Sequence, residues 1–152
     1  VNVDLSLIIQ SLASFSICLY ASPKYLSTVP NLEDPTGLIN CRCLVMSDTE
    51  EPTRWTLENG KVRKVISIAG EAIANDFVAL KTLAVAGSGI AMLPSYAVHT
   101  EEKSGRLSRV LPGWSGQKAE LSAVYPSRRG ATPKQRALID HVKTLIAQNI
   151  EK

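Results

Sequence analysis

The stretch Asn75-Asp76-Phe77-Val78-Ala79-Leu80-Lys81-Thr82-Leu83-Ala84-Val85-Ala86-Gly87-Ser88-Gly89-Ile90-Ala91-Met92-Leu93-Pro94 decides the fold. Phe77, Leu80, Leu83 and Ala84 recur at helical spacing, so the first part predicts a helix with one apolar side. Asn75 is placed to cap its start, and Gly87 stands where a C′ residue in the left-handed region is wanted. Ile90 to Leu93 then reads as a short strand, ended by Pro94. A helix that turns directly into an apolar strand is a unit of α/β architecture.

Working outward, Arg54 to Glu58 and Lys61 to Ile68 flank Asn59-Gly60. That pair predicts a type I′ hairpin, because both residues tolerate positive φ, with Ile66 and Ile68 on one face and Ser67 opposite. Phe15 to Tyr20 predicts a strand that Pro23 stops, and Lys24 to Ser27 a single helical turn. Pro30 to Gly37 predicts a loop with room for a short helix, and Arg42 to Met46 a short strand. Beyond the central stretch, Ser95 to Glu102 predicts a short helix, and Leu107 to Leu111 and Leu121 to Tyr125 predict strands. Thr132-Pro133-Lys134-Gln135 opens a final helix with Thr as N-cap, Pro at the first position and Gln completing a capping box. Leu138, Ile139, Val142, Leu145 and Ile146 give it an apolar stripe as far as about Gln148, suited to packing on a sheet. Strands alternating with helices, plus one hairpin, predict an α/β fold with a mixed sheet.

Composition narrows the function. The chain has 152 residues, 45% hydrophobic and 20% charged, which is an ordinary globular balance. No apolar run approaches the roughly 18 residues of a membrane span. Val1 to Gln10 contains Asp4 and no basic segment, unlike a secretion signal, so a cytoplasmic location is expected. The net charge of +3 is low for a nucleic-acid binder, and Ser127-Arg128-Arg129 with Lys134 and Arg136 fits a solvated loop and helix start. Cys18, Cys41 and Cys43 are odd in number and unevenly spaced, which predicts reduced thiols and not a disulfide framework. Neither His99 nor His141 has ligand-like spacing, so no metal and no cofactor are expected. Gly87-Ser88-Gly89 lacks the spacing of a nucleophile elbow, and there is no phosphate-binding glycine loop. Glu50-Glu51 and Glu101-Glu102 fit solvated loop or helix ends. The chain is not expected to be an enzyme.

Two loops suit a ligand cleft. In open α/β sheets ligands sit beyond strand ends, next to helix starts whose N–H groups favour anions. Ala74-Asn75-Asp76 opens one such helix after a strand expected to end at Gly70, and Ala21-Ser22-Pro23 is the second loop. Ser22 and Asn75 each fit two roles, a ligand contact or a plain helix cap.

Several segments in order resemble the LysR-type transcription regulators. Leu19 to Leu26, LYASPKYL, is similar to the family's ASPxYL signature, and Leu32-Glu33-Asp34 with Cys43-Leu44 to the stretch that follows it. Trp55-Thr56-Leu57 with Asn59-Gly60 resembles the family's hairpin. Asn75 to Val98 resembles its "ND…G.Gia.lP" block, and Gly105 to Trp114 and Val124 to Val142 its closing strand and helix.

The resemblance implies a periplasmic-binding-protein-like fold in which two α/β subdomains share a cleft and are joined by crossing strands. It implies an effector-binding domain that senses a small metabolite in that cleft, often an organic acid or an aromatic compound. It further implies a homodimer or tetramer, and DNA contact only through a separate winged helix-turn-helix domain. The competing assignment is a free-standing periplasmic-type solute-binding protein. On the family pattern, residues 1–15 are a remnant of the first subdomain, with Asp4 to Leu7 leading into the crossover. Residues 16–99 are the second subdomain, and residues 100–152 the return crossover, strand and helix of the first. Matched positions expected to line the cleft are Ala21, Ser22 and Pro23 from the first loop, and Gly70, Ala74, Asn75 and Asp76 from the second. Gly89 and Ile90 are expected near the return crossing.

Overall fold

The computed structural model describes residues 7–47, 53–126 and 132–150. Asp4 to Ser6, Glu50-Glu51 and Ser127 to Arg129, all singled out in the sequence, lie outside the described residues. The chain divides into two units, Val1–Phe15 with Lys118–Lys152, and Ser16–Gln117.

The larger unit is built on a five-stranded mixed sheet. Its strands are β2 (Ile17–Ala21), β3 (Cys43–Met46), β6 (Gly70–Ala74), β7 (Ile90–Pro94) and β8 (Ser108–Val110), in the order β6-β3-β7-β2-β8. β3 runs parallel to β6 and β7, whereas β2 is antiparallel to both β7 and β8. One face is covered by α2 (Phe77–Val85), the other by the hairpin β4 (Thr53–Asn59) and β5 (Val62–Ile68) and by a 3₁₀ turn at Pro35–Asn40. The residues sort between the faces with period two. Leu19, Ala21, Cys43, Val45 and Ile90 join Trp55, Leu57, Ile66 and Ile68 in one core, while Cys18, Tyr20, Leu44, Ala91 and Leu93 join Leu80 and Ala84 in the other. Such double-sided burial is why these strands read as continuous apolar runs.

Helix α2 begins one residue later than expected. Asp76, not Asn75, is the N-cap, its carboxylate accepting from the N–H groups of Val78 at 2.8 Å and Ala79 at 2.9 Å. Its C-terminus is as the sequence predicts. Gly87 has φ +86°, its N–H donates to Ala84 O, and Ser88 N–H donates to Leu83 O, the paired bonds of a Schellman motif. The hairpin turn is displaced by one residue from the expected one. Asn59 pairs with Val62, so Gly60 and Lys61 form the loop, and only Gly60 takes positive φ (+60°). That pattern belongs to a type II′ turn, where glycine is needed at the first position alone.

Three further expectations change. The strand predicted from Phe15 is broken at Ser16, with β1 (Leu7–Phe15) before it and β2 after it. Gly70 starts strand β6 and does not end one. The segment after Pro94 is a 3₁₀ turn, Ser95–Val98, followed by α3 (His99–Lys103). The larger unit also runs past the boundary expected at 99/100, because β8 pairs with β2 and Gly116 N–H donates to Ile17 O at 2.7 Å.

The smaller unit pairs β1 antiparallel with β9 (Ala119–Pro126), with α4 (Pro133–Ile150) packed against β1. The predicted capping box is present: Gln135 N–H donates to Thr132 Oγ1 at 3.3 Å, and Thr132 N–H donates to Gln135 Oε1 at 2.8 Å. Ile9 and Val124 are cross-strand partners and remain 71% and 57% exposed, so this face of the ribbon carries uncovered apolar surface.

Two ties hold the larger unit together. Glu101 is buried and pairs with Lys81 of α2 at 3.4 Å and with Arg106 at 3.2 Å, joining α2, α3 and the lead into β8. Asp34 pairs with Lys64 and accepts from Thr36, which holds its carboxyl down to about 2. Replacing Glu101 with Ala leaves two cations without their partner. A loss of roughly 2–3 kcal/mol is expected in urea unfolding, below the full cost of breaking a buried pair because Lys81 and Arg106 reach solvent.

The Asp34 tie predicts a pH dependence of known sign. A carboxyl depressed in the folded chain contributes stability above its unfolded value of about 3.9, and loses it as pH falls through the folded value. The melting temperature of Asp34→Asn is therefore expected below that of the parent at pH 6, with the gap shrinking as pH falls below 4 and continuing to shrink through pH 2. A gap as wide at pH 2 as at pH 6 contradicts the assignment.

Candidate functional site

The sheet has two ends, and its connectivity assigns each predicted site residue to one of them. β2 is antiparallel to its neighbour, with Ile17 opposite Pro94 and Tyr20 opposite Ala91. The end of β2 at Ala21 therefore lies with the starts of β3, β6 and β7, near Cys43, Gly70 and Ile90. The start of β2 lies with the ends of β7 and of the strands parallel to it, at Pro94, Met46 and Ala74. This second end is where the chain enters the unit at Ser16 and leaves it at Gln117. Ser95 N–H donates to Ser16 O there, and Ser47 N–H donates to Ala74 O.

Ala21, Ser22, Pro23, Gly70, Gly89 and Ile90 thus occupy the far end, and Ala74, Asn75 and Asp76 the crossover end. With five-residue strands rising roughly 3.3 Å per residue, the two groups are on the order of 13 Å apart. Ser22 and the Asn75 loop do not face one pocket. The expected convergence fails because β2 reverses direction among parallel strands, which its own residues do not announce.

At the far end the signature residues are structural. Ser22 is buried and its hydroxyl accepts from Tyr25 N–H at 3.2 Å, capping α1 (Pro23–Leu26) with Pro23 at the first helical position. The buried Tyr25 accepts Arg42 N–H at its hydroxyl at 2.8 Å, and the Arg42 guanidinium lies over its ring at 4.9 Å. Arg42 Nη2 donates to Gly87 O, and Arg42 O accepts from Ile90 N–H. A Cβ on Gly89 would stand 2.4 Å from Arg42 O, so only glycine lets β3 and β7 approach here. Ala21 and Ile90 are fully buried core residues. The serine, proline and tyrosine of the signature therefore fasten the loop after β2 to the loops before β3 and β7.

The crossover end also has polar groups open to solvent. Asn75 and Asp76 are exposed and Ala74 is half-buried. The Asp76 carboxylate already occupies the helix N-terminus, so the N–H groups expected to attract an anion are partly satisfied from within. The net local charge is negative, which favours a neutral or cationic group beside α2 over an acid. Ser47, Pro94 and Ser95 share this end but were not singled out from sequence. The available signal was that each closes or directly follows a short apolar strand, as Ala74 does.

The three thiols are free. Burial pushes Cys18 and Cys41 up, and pushes Cys43 up to about 12, aided by the neighbouring Cys41, so all three stay protonated at neutral pH. His99 is half-buried at the start of α3 and His141 is exposed on α4, in different units. Among the described residues no three His, Cys, Asp or Glu side chains gather as they would around a metal ion. No helix among them is long and apolar enough to cross a membrane.

Comparison with known proteins agrees with this architecture. Residues 2–147 match the LysR substrate binding domain family. The transcriptional regulator PtxR of Pseudomonas aeruginosa is 32% identical over 140 residues, covering 92% of this chain and 45% of the regulator. An HTH-type transcriptional repressor of P. aeruginosa strain UCBPP-PA14 is 33% identical over 152 residues, covering 97% and 47%. The full-length structure of the Vibrio cholerae virulence activator AphB superposes with a TM-score of 0.79 at 26% identity, covering 92% of this chain and 48% of AphB. The chain thus spans about half the length of these regulators, and their regulatory character sets aside the free-standing solute-binding alternative. From its match across nearly the whole sequence and its mixed α/β architecture, the chain belongs to the LysR substrate-binding domain family, the effector-binding part of LysR-type regulators.

Proposed function

We propose that this chain senses a small metabolite for a cytoplasmic, oligomeric LysR-type transcription regulator, with DNA bound by a separate domain and no reaction catalysed. The family match over residues 2–147 carries this proposal. Supporting it is the placement of Ala74, Asn75 and Asp76 at the sheet end from which both connections to the other unit depart. An effector there acts only through unequal affinity for two arrangements of the protein, so binding shifts their populations.

The first test is thermal unfolding of the full-length regulator that carries this chain, against a panel of small organic acids, amines and aromatic compounds. A true effector at a hundred times its Kd is expected to stabilise by about 2.7 kcal/mol, through binding to the folded state alone. No shift from any member, together with promoter binding that none of them alters, would count decisively against sensing.

The two sheet ends predict opposite behaviour on mutation. Ser22→Ala removes a cap and is expected to lower stability by about 1 kcal/mol while leaving effector affinity unchanged. Asp76→Asn keeps a capping side chain but removes a charge. An anionic effector is then expected to bind two- to threefold tighter, from about 0.5 kcal/mol of relieved repulsion. Isothermal titration of both variants reads the difference, and an effect on affinity at Ser22 but not at Asp76 reverses the assignment.

A further inference from the structure

We propose that Cys41 and Cys43 together bind one soft monovalent metal ion, of the copper(I) class, between their two sulfurs at the far end of the sheet. Both thiols are free, and neither has a part in the sensing proposal.

The backbone puts the two sulfurs on one side. Cys41 closes the 3₁₀ turn in an extended conformation, φ −109° and ψ 151°, and Cys43 begins β3. Arg42 between them continues the run, its carbonyl accepting from Ile90 N–H at 2.8 Å. Residues two apart in an extended chain face the same way. Cys43 accordingly belongs to the hairpin-side core, and Cys41 packs against that same core. The 3₁₀ turn then gathers the thiols. Cys41 donates to Gly37 O at 3.6 Å and Cys43 to Leu38 O at 3.7 Å, so both point at carbonyls of successive residues.

The spacing suits a metal bridge better than a disulfide. Two extended residues span roughly 6.6 Å, and side chains on one face start about that far apart. A disulfide wants Cβ atoms roughly 3.5–4.5 Å apart and sulfurs about 2.0 Å apart. Two metal–thiolate bonds of roughly 2.3 Å, set in line, hold the sulfurs about 4.6 Å apart. The longer bridge spans the gap without pulling Arg42 from its hydrogen bond with Ile90.

The surroundings select the metal. Among the described residues no three His, Cys, Asp or Glu side chains form a cluster, so an ion that demands four ligands is poorly served here. Two thiolates satisfy a soft ion such as copper(I). Cys43 is fully buried beside Leu38, which keeps water from the inner sulfur. Cys41 is half-buried and lines an open hollow of about 330 Å³ between Pro30 and Cys41, which gives the ion a way in. Burial pushes the Cys41 thiol up, and a hydrogen bond with Tyr25 opposes that push. On binding, two sulfur–metal bonds replace two S–H bonds, and both protons pass to solvent.

The test is anaerobic titration of the chain with copper(I) in competition with a coloured copper(I) chelator, followed by X-ray absorption at the copper edge. One ion per chain and a linear shell of two sulfurs are expected. Cys41→Ser is expected to weaken binding at least about a hundredfold, since even partners outside the ligand shell are worth roughly 10- to 100-fold. Cys41 is only half-buried, so this variant is expected to keep the parent's circular dichroism spectrum. Cys18→Ala, which removes the thiol of the other core, is expected to bind as the parent does. Parent affinity in Cys41→Ser, loss of binding in Cys18→Ala, a shell of three or more sulfurs, one ion shared by two chains, or zinc bound as tightly as copper(I) would each overturn the site.

Discussion

Strands β2, β3 and β7 have water on neither side, and most of what the larger unit does follows from that burial. Leu19, Tyr20, Leu44, Ile90 and Leu93 are almost completely removed from solvent, each worth roughly 1.5–3 kcal/mol of transfer free energy. A sheet buried on both faces needs a cover on each. The chain supplies α2 for one face, and the hairpin with the 3₁₀ turn for the other. Backbone polar groups at the strand ends must then be satisfied in the loops, which puts a premium on caps and close approaches there. Ser22 on α1, Asp76 on α2, the Schellman motif at Gly87 and the bare Cα of Gly89 against Arg42 O all answer that demand.

The same constraint separates the two ends of the sheet into different kinds of place. At the far end the loops after β2 and before β3 and β7 are drawn together by Tyr25 and Arg42. At the crossover end the strands finish in short polar segments, and both connections to the other unit leave from here. The most recognisable motif of the sequence, Ala-Ser-Pro followed by Lys-Tyr-Leu, thus serves stability through the Ser22 cap and the Tyr25–Arg42 contacts.

Charge sharpens the contrast, because the Asp76 carboxylate fills the helix N-terminus that would otherwise attract an acid. The smaller unit contributes differently. Its two-stranded ribbon leaves Ile9 and Val124 largely exposed, since a ribbon and one helix cannot cover both faces.

Much of the fold was legible in the residues themselves. Short apolar runs marked β2, β3 and β7, period-3.6 spacing marked α2 and α4, and Thr132 with Gln135 gave the capping box to the residue, because each of these signals is local. Asn75 against Asp76 as the cap, and Asn59-Gly60 against Gly60-Lys61 as the turn, each missed by one position. Neighbouring residues of similar chemistry compete for such roles, and only the completed hydrogen bonds choose between them. The candidate site was legible as a set of loops but not as a place. Ala21 and Ala74 each close a strand and Ser22 and Asn75 each follow one, although the second strand begins at Gly70, where it was expected to end. Whether they meet depends on the direction in which β2 runs among its neighbours, and strand direction is set by long-range pairing that no stretch of the sequence encodes alone. The sequence by itself determined the family and the α/β class, but not burial throughout, since Glu101, read as a solvated end, is buried and Leu138 of the α4 stripe is exposed. The tertiary structure decided which loops share an end, because that is a property of how strands distant in the chain are laid side by side.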